Sequence, residues 1–101
     1  MTDVKWGVVT TFLGPTADVL KFAAFHLDAG AHRLYIYLDD PDSDAFSTLK
    51  NHPKIRVAAC NAAHWKKLTG KRPVKHQVRQ SLNATHAYGR KQDVDWLTHI
   101  D

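Results

Sequence analysis

The chain has 101 residues, 44% of them hydrophobic and 24% charged, with a net charge of +4. That is enough for one domain with a modest core, and too apolar for a disordered chain. No apolar run approaches the roughly 18 residues of a membrane span, the first five residues do not resemble a secretory leader, and Cys60 is the only cysteine, which excludes an internal disulfide.

These features lead to the expectation of a cytoplasmic protein, with membrane association of a longer form left open. The charge is unevenly spread. Every acidic residue is Asp, and seven of the ten lie between Asp3 and Asp44. None lies between Ala45 and Gln92, where 11 of the 14 Lys and Arg residues sit. The middle of the chain is therefore a basic block. It is either a solvated basic surface or a site for a phosphate-rich partner.

Trp6-Gly7-Val8-Val9-Thr10-Thr11-Phe12 is short, rich in β-branched residues and stopped by Gly14-Pro15, as in a buried strand. A helix opens at Thr16 or Asp18, carries Val19, Leu20, Ala23, Ala24 and Leu27 at helical spacing, and closes at Gly30. Leu34 to Leu38 is the second strand, ended by Asp39-Asp40-Pro41. Ser43 or Asp44 caps a short helix through Ala45, Phe46 and Leu49, stopped by His52-Pro53. Ile55 to Cys60 is a third strand.

Between Asn61 and Lys75 the pattern predicts a short helical turn and then a loop, with breakers at Gly70 and Pro73. A longer helix follows from Lys75 to about Tyr88. Val78, Leu82 and Thr85 or His86 would face inward, and Gly89 would end it. Asp95 to Asp101 reads as a fourth strand. The order βαβαβαβ predicts an α/β fold: a parallel, three-layer, Rossmann-like sheet with right-handed crossovers.

Ligands in such sheets bind beyond the carboxyl ends of the strands. Those ends deliver Thr10, Thr11, Phe12 and Leu13 from strand one, Asp39 and Asp40 from strand two, Cys60 and Asn61 from strand three, and His99 and Asp101 from strand four. Strand-end carboxylates can bind a base, a ribose or, near a diphosphate, a divalent cation. Asp39-Asp40 is equally readable as a turn signal. No G-x-G-x-x-G follows strand one and no Walker motif exists, which disfavours a dinucleotide-binding domain and excludes a P-loop NTPase. The seven histidines show no metal-ligand spacing, and no Ser or Cys nucleophile stands out. Trp6, Tyr35, Tyr37, Trp65 and Trp96 read as core aromatics.

Leu38-Asp39-Asp40-Pro41-Asp42-Ser43-Asp44 resembles the DDGSxD segment of family 2 glycosyltransferases. His26-Leu27-Asp28-Ala29-Gly30 is similar to the HxxxG that ends the first helix in one branch of that group. Arg79-Gln80, Asn83, Ala87 and Trp96 to Asp101 look like the approach to that branch's W(L/I)xxxDxDEF segment. The resemblance covers nearly the whole chain. It implies the amino-terminal half of a GT-A fold, with strand order 3-2-1-4, that binds a nucleotide-sugar.

By the same resemblance Thr10, Thr11 and Phe12 would cradle base and ribose. Asp39 or Asp40 would contact the base or ribose, and Arg79 would lie near the phosphates. Asp101 would be the first carboxylate of a D-x-D motif holding Mn²⁺ or Mg²⁺. The full-length enzyme would pass a sugar to an unknown sugar, lipid or protein acceptor. A chain stopping at Asp101 would be inactive and prone to self-association through strand four. Leu13-Gly14 stands where the family often has Asn-Glu, and no residue here is assigned as catalytic base. Two other readings compete. One is a nucleic-acid module using Lys66, Lys67, Lys71, Arg72, Lys75 and Arg79, which no recognition motif supports. The other is an interaction domain without a ligand.

Overall fold

The computed structural model describes residues 4–90 and 94–100. The elements are β1 (Trp6–Phe12), α1 (Thr16–Asp28), β2 (Arg33–Leu38), α2 (Ala45–Leu49), β3 (Ile55–Ala59), α3 (Ala62–Leu68), α4 (His76–Arg90) and β4 (Trp96–His99). The four strands form one sheet in the order β3-β2-β1-β4. Every pairing is parallel. The fold class and strand order expected from the sequence are those observed: a parallel α/β sheet of Rossmann-like topology.

Side chains alternate across the sheet, so β1, β2 and β3 each face two cores, while β4 buries only Leu97. Val8, Leu34, Ile36, Leu38 and Ile55 pack with Val19 and Ala23 of α1 and with Ala45 and Leu49 of α2. Val9, Tyr35, Tyr37 and Leu97 pack on the other face, with Trp65 of α3 and Ala87 of α4. β1 and β2 are buried on both faces, which is why they read as unbroken apolar runs. Gly7 lies between β2 and β4, and a Cβ there would meet the Arg33 carbonyl at 3.0 Å and Leu97 Cδ1 at 3.2 Å. Gly30 takes φ +107° just after α1, a conformation open to glycine at little cost.

Local chemistry departs from the sequence expectations at several points. Of the two expected caps of α2, Ser43 Oγ accepts the Ala45 amide at 3.3 Å, whereas Asp44, at the N-cap position, makes no capping bond there. Its carboxylate accepts instead from the Thr16 hydroxyl, tying α2 to the start of α1. β3 ends at Ala59, one residue before Cys60, and β4 is confined to Trp96–His99. Trp96 is 66% exposed, not a core aromatic.

The largest difference is in α4. It runs through Gly89 to Arg90, and its buried residues are Arg79, Gln80, Asn83 and Ala87. Val78 and Thr85 are exposed, while Leu82 and His86 are half-buried. The inward face is one residue further round than hydrophobicity predicts. Polar partners waiting on the sheet explain the rotation, since Arg79 and Asn83 each find bonds there that Val78 could not make.

Candidate functional site at the carboxyl ends of the strands

Strand order places a topological switch beside β1: the chain moves one way through β2 and β3, then returns to the other side for β4. Crevices at such points, beyond the strand ends, are where parallel α/β sheets hold ligands. Here a cleft of 360 Å³ lies at that location, lined by Thr11, Phe12 and Leu13 from the end of β1 and by His76 and Arg79 from α4.

Asp39 anchors the wall of this cleft. It follows β2 directly, and its amide donates to the Phe12 carbonyl at 2.9 Å. Its side chain is fully buried. Arg79 Nε donates to Asp39 Oδ1 and Oδ2 at 3.0 and 3.2 Å. Arg72 Nη2 reaches Oδ1 at 3.3 Å from the loop before α4. His76 Nδ1 is 3.5 Å from Asp39 Oδ2 and 3.5 Å from Arg79 Nη2, a loose contact compared with the arginine bonds. One buried carboxylate therefore gathers two guanidinium groups and an imidazole.

Arg79 does more than pair with Asp39. Its Nη1 donates to the carbonyls of Pro73 and Val74 at 2.8 and 2.9 Å. The single side chain thus joins β2, the loop after Gly70 and the first turn of α4. Arg72 and His76 are the accessible members, with side chains 50% and 39% exposed.

A second polar group continues beneath α3 and α4. Asn83 is completely buried. Its amide donates to Thr11 Oγ1 at 3.0 Å and to Cys60 Sγ at 3.7 Å, and its Oδ1 meets His64 Nε2 at 2.8 Å. Asn61 caps α3 by accepting the His64 amide at 2.9 Å. Tyr37 meets His86 Nδ1 at 2.7 Å through its hydroxyl. Burial pushes the Cys60 thiol up to about 12, as a small buried hydrophobe requires, and drives Tyr37 up to about 12 as well.

The residues expected from sequence are distributed as follows. Thr11 faces α4 through its bond to Asn83 and lines the cleft. Phe12 also lines it, with its ring tilted against Phe22 of α1 at 6.5 Å. Thr10 alternates to the opposite face, and its buried hydroxyl has no hydrogen-bond partner among the described residues. Asp39 and Arg79 come together as a buried ion pair. Asp40 is exposed at the same rim, and its Oδ1 accepts the Asp42 amide at 3.0 Å. This is the local turn that its sequence suggested. Asp101 lies outside the described residues. Among those described, no three His, Cys, Asp or Glu side chains gather as a metal-ligand set.

The sequence reading missed His76 as a cleft residue and Asn83 as the hub of a buried network. A signal existed. His76, Arg79, Asn83 and Ala87 recur at helical spacing, which marks a mostly polar stripe on one face of α4. No family model, no curated protein and no solved structure matches this chain.

Proposed function

We propose that the domain binds the diphosphate and nucleoside of a nucleotide-sugar at the carboxyl-end cleft, as the donor-binding part of a GT-A glycosyltransferase similar to family 2. The observation that carries this reading is the cleft between the end of β1 and the start of α4, at the switch point of a 3-2-1-4 sheet, with Arg79 and His76 of its wall gathered on Asp39.

In this proposal Thr11, Phe12 and Leu13 border the nucleoside, and the exposed Asp40 offers a carboxylate to ribose or base. Arg72 brings positive charge to the diphosphate, offsetting what develops on a leaving nucleoside diphosphate, and His76 offers a ring nitrogen to it. Arg79 acts mainly by holding Asp39 and the 73–74 backbone in place. Mn²⁺ or Mg²⁺ would supply further charge neutralisation through oxygen ligands. The described residues do not by themselves make such a metal site, and Asp101 is proposed as one ligand. The acceptor is a sugar, lipid or protein hydroxyl that this chain does not identify.

Titration with uridine and guanosine diphosphate, and with a short oligonucleotide, at low and high salt tests the reading. One diphosphate is expected to bind saturably, with an affinity that R72Q and H76Q each lower several-fold. Tighter binding of the oligonucleotide, falling steeply with salt, would favour a nucleic-acid role instead.

β4 lies at an edge of the described sheet and carries the exposed Trp96. We propose self-association through that edge. Sedimentation is expected to show mass rising with concentration, and W96K is expected to reverse it; a concentration-independent monomer would contradict it.

A further inference from the structure

A second cleft opens at the opposite end of the sheet and shares no residue with the first. It has a volume of 320 Å³ and is lined by Arg33, Tyr35, Arg56, Gly89 and Arg90. Tyr35 and Arg56 are register partners across β2 and β3, so their side chains leave the same face of the sheet. Arg33 is two residues before Tyr35 and shares that face. α4 spans the face from His76 at the carboxyl end to Arg90 at the amino end, and its last turn closes the cleft. Tyr35 precedes Asp39 by four residues, which places the two sites about 13 Å apart along β2.

Three guanidinium groups thus line one concave space, and no carboxylate does so among the described lining residues. Arg56 is held by neutral groups. Arg56 Nη1 donates to the Pro53 carbonyl at 2.9 Å and, weakly, to the Ile55 carbonyl at 3.5 Å. Arg90 lies beside the Tyr37 phenol, where its charge opposes the effect of burial on that hydroxyl. Arg33 Nη1 donates to the His32 carbonyl at 2.8 Å, and both Arg33 and Tyr35 make other interactions as well. Arg56 and Arg90 therefore carry the site, with Arg33 completing the wall.

Carbonyl partners orient Arg56 without cancelling its charge. Like charges held around one cleft repel, and a bound anion relieves that repulsion. Guanidinium forks match the oxygens of phosphate in pairs. We infer that this cleft is a binding site for a small phosphate-type oxyanion, separate from the carboxyl-end cleft.

The test is a titration of the full chain with inorganic phosphate and pyrophosphate, read by backbone amide shifts. Saturable shifts are expected at residues 33–35, 56 and 89–90. R56Q and R90Q are each expected to weaken binding about tenfold, and the double variant to abolish it. K71Q/K75Q should leave it unchanged. Both arginines are exposed, so amide dispersion should report an intact fold in every variant. Nucleoside diphosphate binding at the other cleft should survive R56Q/R90Q, which keeps the two sites separable. Shifts confined to residues 11–13 and 72–79, or variants that bind as tightly as the parent, would overturn the inference.

Discussion

Replacing Arg79 with Met is expected to cost about 3–5 kcal/mol, the largest loss of any single substitution near the cleft. The reason is what it leaves behind. Asp39 has no exposed side-chain surface, and Arg79 supplies its two Nε bonds. Without that partner a buried carboxylate retains only Arg72 at 3.3 Å and the loose His76 contact. Two loop carbonyls, Pro73 and Val74, lose their donor as well. A domain of this size has a margin of about 5–10 kcal/mol, so R79M should lose roughly half its urea resistance or more.

R72M is the matched control. Arg72 is half exposed, and its pair with Asp39 is worth at most about 1 kcal/mol. In a double-mutant cycle, D39N and R79M should couple strongly, whereas D39N and R72M should not. An R79M protein as stable as R72M would show that the pair does not hold the loop to the sheet.

Alkaline pH should erode the stability of the domain from about pH 9 upward. Burial holds the Cys60 thiol at about 12 against an ordinary 9.0, and the Tyr37 phenol at about 12 against 10.0. Both folded values lie above the unfolded ones. The folded chain keeps protons that the unfolded chain releases, so stability is full below pH 9 and falls between pH 9 and 12. Together the two groups can remove several kcal/mol, a large part of a ~5–10 kcal/mol margin. C60A should delay the onset of the loss to about pH 10, where Tyr37 alone acts. In the native state iodoacetamide should not label Cys60, and in urea it should do so readily.

His86 bends the curve the other way. Burial lowers its basicity, helped by the charge of Arg90 and by His64 and Lys67. A depressed folded value means stability is present above the unfolded 6.5 and declines as pH falls below it. The stability optimum should therefore lie between about pH 6.5 and 9. A urea midpoint that is flat from pH 9 to 11 would contradict the buried state of Cys60 and Tyr37.

Strands were legible in the sequence because β1 and β2 are covered on both faces, so hydrophobicity alone marks them. Their parallel pairing followed from the alternation of strands with helices, whereas the order 3-2-1-4 came from the resemblance to GT-A domains. α4 was legible as a helix but not in its orientation. Its buried stripe is held by hydrogen bonds and an ion pair, and a hydrophobic pattern carries no signal for Arg79 or Asn83. Asp39 and Asp40 look alike in sequence and do opposite things. Period-two alternation sends Asp39 toward α4 and its arginine, while Asp40 turns outward and closes a local loop. The amino-end cleft was invisible for a different reason: Arg33, Arg56 and Arg90 are distant in the chain, and only the β2–β3 register and the length of α4 bring them together.

The most direct measurement is the map of amide shifts on adding uridine or guanosine diphosphate. Saturable shifts are expected at residues 10–13, 39–40 and 72–79, lost in R72Q/H76Q and retained in R56Q/R90Q. No saturable binding of either diphosphate, or shifts spread over the basic surface of α3 and its following loop with the β1 end silent, would contradict it.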